Sequence, residues 1–101
     1  MRYLLANHSA YGVLTGAGFG LDHESVSGWE TVTLRMAFVA VGIIVDRQSR
    51  QLFAPIPGDL AAGVYRLRQS FRLGLREGLG WSWPGRGAPE FEAAGAFRVT
   101  T

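Results

Sequence analysis

The chain has 101 residues, no cysteine, and ten basic against eight acidic residues, for a formal net charge of +2. That length allows one domain, residues 1–101, around one two-layer core, and the missing thiols exclude a disulfide framework and a thiolate metal site. So small a charge excludes a nucleic-acid footprint. The longest apolar run, residues 36–45, falls short of the about 20 residues that cross a bilayer, which predicts no membrane span.

The first strand is expected from Arg2 to Ala6. Met1 to Ala6 carries one arginine and a very short apolar run before Asn7 and His8, which lacks the form of a signal peptide. Asn7 to Ala10 reads as a turn, because Asn and Ser side chains bond their local backbone. Asn7-His8-Ser9 is formally a glycosylation sequon, but turn closure is its expected role.

A second strand is predicted from about Tyr11 to Leu21, with Gly12, Gly16, Gly18 and Gly20 marking bulges, bends or a close neighbour. The polar run Asp22 to Gly28 is read as a turn ahead of Trp29. Trp29 to Val45 reads as two strands or one long bent strand, in which Val32, Leu34, Met36, Phe38 and Ile44 share a face and Trp29 lies in the core. Asp46 to Gln51 is expected as an exposed, charged hairpin or loop, and Leu52 to Ala54 as a short strand stopped by Pro55 and Pro57.

The clearest pattern lies between Leu60 and Leu73. Tyr65, Leu67, Phe71 and Leu73 fall on one face, and Val64, Arg66, Arg68, Ser70 and Arg72 on the other. Such alternation is what a half-buried antiparallel strand requires. A helix over Leu67 to Leu79 is disfavoured by Gly74, Gly78 and Gly80. Gly74 to Pro89 then reads as a long, tryptophan-bearing loop, of a length that points beyond connection. A closing strand, Phe91 to Val99, turns Phe91, Phe97 and Val99 inward. The sum is about seven strands with turns about every eight to twelve residues, the pattern of an all-β antiparallel sandwich.

Several segments match a family pattern: Asn7-His8-Ser9, Gly20-Leu21-Asp22, Gly28-Trp29-Glu30, Pro57-Gly58 and Leu60-Ala-Ala-Gly63-Val-Tyr65-Arg66-Leu67, with Phe91 to Val99 as the last strand. In these the chain resembles a bacterial immunoglobulin-like domain of the surface-protein type. The resemblance implies an immunoglobulin-like sandwich at a cell surface or outside the cell, acting in adhesion, assembly or regulatory binding. It carries no catalytic residues. The chain lacks the family's first strand, which implies an edge left open or supplied by a neighbouring subunit.

Tyr65 is expected to fill the end of the core while its hydroxyl bonds backbone a few residues upstream, as in a tyrosine corner. Trp81 and Trp83, at i and i+2 with Arg86 close behind, form the candidate partner-binding site, since large rings and a planar cation are what interface anchors are made of. The alternative for the two rings is to fold back and cap the core. Arg66, Arg68 and Arg72 make a basic stripe, read as solvated charges paired with Glu90 and Glu92 of the last strand, or as a site for an acidic partner.

Other chemistry is expected to be absent. Gly16, Gly18 and Gly20 lack the helix and downstream acid of a dinucleotide fingerprint, and His8 and His23 fall short of a metal's ligand set even with Asp22 and Glu24. The serines lack a nucleophile-elbow context. No cofactor, metal or catalytic role is therefore predicted. The expected function is a non-enzymatic adhesion or assembly module that binds a partner protein or itself; the rival is a phage virion component, a capsid decoration or tail protein, on the same sandwich.

Overall fold

The computed structural model describes residues 1–36, 38, 42–45, 49–83, 85, 87 and 89–100. Among them there are nine strands and no helix: β1 Arg2–Leu5, β2 Gly12–Thr15, β3 Gly20–Ser25, β4 Gly28–Thr31, β5 Ile43–Val45, β6 Arg50–Phe53, β7 Gly63–Glu77, β8 Gly80–Ser82 and β9 Phe91–Val99. The fold is an all-β antiparallel sandwich. One layer is the pair β1-β6, and the other has seven strands, with the order β4-β3-β7-β2-β5 and with β8 and β9 also paired to β7.

The organising element is β7, fifteen residues long. Along one edge it pairs first with β3 (Tyr65 to Arg68) and then with β2 (Phe71 to Gly74). Along the other it pairs with β9 from Gly63 to Phe71 and with β8 from Leu75 to Glu77. One strand thus serves four neighbours, which makes the molecule long, 49 × 26 × 26 Å.

The alternation in β7 has the direct consequence that period 2 demands. Tyr65, Leu67 and Gln69 are buried on its inner face. They lie beside Leu21 of β3, and the small sheet closes over them: Phe19, Ala54 and Leu67 form the centre of the core, with Met1, Tyr3, Leu34, Met36, Ile56 and Phe97 packed around it. Gln69 is a buried amide among apolar side chains, and both its polar atoms are bonded. It accepts from the Tyr3 hydroxyl at 2.5 Å and donates to the Gly16 carbonyl at 2.8 Å, tying the two layers and the β2–β3 connection together.

Several expected boundaries shift. The second strand is two strands, β2 and β3, because the chain bends at residues 16–19 and leaves β2 on the far half of β7. Asp22 lies inside β3, since the reversal before Trp29 is the tighter one at Val26-Ser27, with Ser25 Oγ donating to the Gly28 carbonyl at 2.9 Å. Between Thr31 and Ile43 the described residues join no ladder, and in β5 Val45 faces the core while Ile44 is exposed: Val13 and Val45 are paired on the inner face. The segment expected as a loop after Gly74 begins as a hairpin, with β7 running on to Glu77 and turning into β8 through Gly78 at φ +58°. Trp29 is outside the core, 39% exposed on β4 beneath the Arg66 guanidinium. Phe91 stands on the inner face beside Phe71, as expected, but is 46% exposed there.

Candidate functional site

The Tyr65 end of β7 is built as a seal. The Tyr65 hydroxyl donates to the Ala61 carbonyl at 2.7 Å, closing the bend that precedes the strand. Its ring is buried between His23 and Phe97, with centroids at 4.6 and 5.9 Å, the three being cross-strand neighbours in register. Gly63 makes room for this row: its φ is +152°, and a Cβ there would stand 2.7 Å from His23 Nε2. A stacked position on a buried tyrosine fixes His23 as part of the seal.

The basic stripe is divided. On the outer face Arg66 and Arg68 both turn their Nε toward the same oxygen of Asp22, at 2.5 and 2.6 Å, and Thr31 donates to the other oxygen at 3.2 Å. Asp22 is only 2% exposed, covered by the arginines lying over it. Burial raises its pKa, but the bonds from Arg66 and Arg68, the charge of Arg68 and the Thr31 bond outweigh this and hold the carboxyl below its ordinary value. Arg68 is in turn held above the usual guanidinium value, chiefly by its bond to Asp22. The expected carboxylate partners are weaker: Arg68 reaches Glu92 of β9 at 3.5 Å, and Arg72 reaches Glu90, just ahead of β9, at 3.7 Å, both near solvent. Two of the three arginines are therefore committed to an internal carboxylate, and the pairing escaped sequence reasoning because Asp22 was assigned to a turn. Gly20 is part of this arrangement, since a Cβ there would stand 2.6 Å from the Arg68 guanidinium.

Trp81 and Trp83 are at the opposite end. Register places Trp81 beside Arg76, on the same outer face as Gly74, which is paired with Gly12 of β2. Both rings lie over this glycine pair. A Cβ on Gly12 would come within 2.8 Å of Trp81, and one on Gly74 within 2.5 Å of Trp83. The rings are half-buried, 6.4 Å apart, with the Arg76 guanidinium 5.3 Å from the Trp81 ring centre. Each tryptophan thus uses one face to fill space vacated by glycine. Arg86, the third member of the expected site, lies outside the described residues.

What the tryptophans hold in place is apolar. At the turn between β7 and β8 Leu79 is 99% exposed, and Leu75 is 63% exposed. Beside them a cleft of about 290 Å³ is lined by Leu73, Leu75, Ser82, Trp83, Pro89 and Phe91. Leu79 escaped sequence reading because a lone leucine between glycines carries no periodic signal, and Leu75 because it falls in the segment expected as a loop.

Among the described residues no group of three or more His, Cys, Asp or Glu is arranged to hold a metal ion. His8 and His23 are separated by the fold, at the β1–β2 turn and in the tyrosine seal. Asn7 of the sequon is buried, its Nδ2 donating to the Tyr11 and Val45 carbonyls and its Oδ1 accepting from Ser9. That amide is a turn-closing group.

Fold and surface together define a class: an all-β sandwich with a sealed end, an internal ion cluster and an apolar hairpin tip. Comparison of the chain with family models, with curated proteins and with solved structures returns no match.

Proposed function

We propose that the chain is a non-enzymatic protein-binding module, an adhesion or assembly domain of the immunoglobulin-like type found on bacterial surface proteins and extracellular fibres. The observation that carries the reading is the β7–β8 tip, where Leu79 stands clear of the sandwich on a hairpin braced by two tryptophans. Exposed apolar side chains on a stiff support lose little conformational freedom on binding, and an adjoining apolar cleft can receive an anchor from the partner. The surface and family assignments rest on the resemblance in the Leu60 to Leu67 segment, whose Gly63 and Tyr65 form the corner described above.

The tip is tested without disturbing the glycine pair by replacing Leu75 and Leu79 together with serine. The immobilised wild-type chain is expected to retain a defined protein from surface extracts of its source cells, and the folded double variant to lose it. Equal retention by both chains, or none by the wild type, contradicts the proposal.

A further inference from the structure

A second surface lies along the outer edge of β9, which starts beside the tip cleft at Phe91 and runs away from it to Val99. All nine of its residues pair with β7, and among the described residues no strand pairs with its other edge. The strand is Phe91-Glu92-Ala93-Ala94-Gly95-Ala96-Phe97-Arg98-Val99. It has no proline, lysine or bulge, the devices that normally keep such an edge from pairing. Two adjoining clefts of about 310 and 350 Å³ run beside it, sharing Leu5 and Ala93 in their linings, so the space between β9 and the small sheet is open and apolar.

We infer that this edge pairs with the β9 of a second copy of the chain, antiparallel about a two-fold axis through Gly95. The argument is the strand's own self-complementarity. In that register residue 92 meets residue 98, 93 meets 97, 94 meets 96, and 91 meets 99. On the outer face Glu92 of each copy opposes Arg98 of the other, giving two opposite-charge pairs. On the inner face the small Ala93 opposes the large Phe97, so the two side chains of each pair do not compete for space. Neighbouring two-fold registers give up one of these matches: an axis through Ala94 sets Glu92 against Ala96, and one through Ala96 sets Arg98 against Ala94.

A two-fold perpendicular to the sheet keeps both inner faces on one side, so the two seven-stranded sheets become continuous and the free edge of β9 is covered in each copy. Arg98 is exposed and makes no ion pair among the described residues. Glu92 is half-exposed, with one long contact to Arg68 at 3.5 Å. Both charges are available to a partner.

The experiment is a charge exchange on the full chain, read by sedimentation equilibrium against the 11.0 kDa monomer mass. The wild type is expected to dimerise reversibly below about 100 µM. Arg98→Glu and Glu92→Arg should each raise the dissociation constant by about tenfold, because each sets like charges opposite one another twice. The double variant should return to within about threefold of the wild type. That recovery separates the Arg98 pairing from the Arg68 contact, which the double variant does not restore. Circular dichroism checks the fold of each variant, and the free-edge amides of β9 should exchange more slowly as protein concentration rises. A wild type that remains monomeric, a dimer indifferent to the single exchanges, or single-variant losses that the double variant does not repair would overturn the inference.

Discussion

From Tyr65 to Arg68, β7 has β3 on one edge and β9 on the other, the small sheet over its inner face, and the Asp22 ion cluster over its outer face. From Leu75 to Glu77 it has β8 beside it, exposed side chains, and two tryptophans resting on the glycine pair just before it. The same strand therefore passes from a closed region, where nearly every polar group is used internally, to an open one whose apolar surface is still free. Rigid scaffold and available surface are thereby separated along one piece of backbone, which is how small sandwiches commonly present binding groups.

The sharpest contrast is between leucines at the two ends. Leu21 is completely buried, and Leu21→Ala should destabilise the fold by about 3 kcal/mol, since the cavity adds to the lost transfer energy. Leu79→Ser should cost under about 0.5 kcal/mol in a urea titration, because that side chain is almost wholly exposed in the folded chain.

Asp22→Asn comes next. It weakens the charge-assisted bonds of two arginines at once and should cost about 2 kcal/mol, reduced from a fully buried case because both guanidinium groups reach solvent. The same group sets a pH dependence. Its folded-state pKa lies below its unfolded one, so the unfolded chain binds the proton more readily and stability rises with pH through the acid range. The contribution is complete at neutral pH, begins to fall near the ordinary carboxylate value, and is gone below the folded-state value. Stability curves of Asp22→Asn and the wild type should therefore converge as the pH falls.

Two milder changes separate the ends by signal rather than size. Tyr65→Phe removes the Ala61 bond and Gly74→Ala displaces the Trp83 ring, each costing about 1 kcal/mol. Tryptophan fluorescence should shift to the red in Gly74→Ala and stay put in Tyr65→Phe.

The closed end was the more legible in the sequence. Alternation through Tyr65, Leu67, Phe71 and Leu73 marks a strand without ambiguity, Gly63 and Tyr65 mark its corner, and the last strand, Phe91 to Val99, agrees with its expected bounds. Gln69 was passed over because a polar residue on an apolar face is legible only once its partners, Tyr3 and Gly16, are in place. Asp22 was misread for a related reason: an Asp-His-Glu-Ser run looks like a solvated turn until the arginines opposite it are known. At the open end Gly74, where the expected loop begins, and Gly12 of β2 are there because indole rings occupy the space above them. Local sequence shows the vacancy at Gly12 and Gly74 but not its occupant, which comes from residues paired through β8.

Native-state hydrogen exchange along β7 tests the division of the strand most directly. The ladder amides between Tyr65 and Phe71 should exchange only through global unfolding, with opening free energies equal to the stability measured by denaturant, while those of Leu75 to Glu77 should exchange through local opening at visibly lower free energy. Uniform protection along the strand, or stronger protection at the β8 end, would contradict the account.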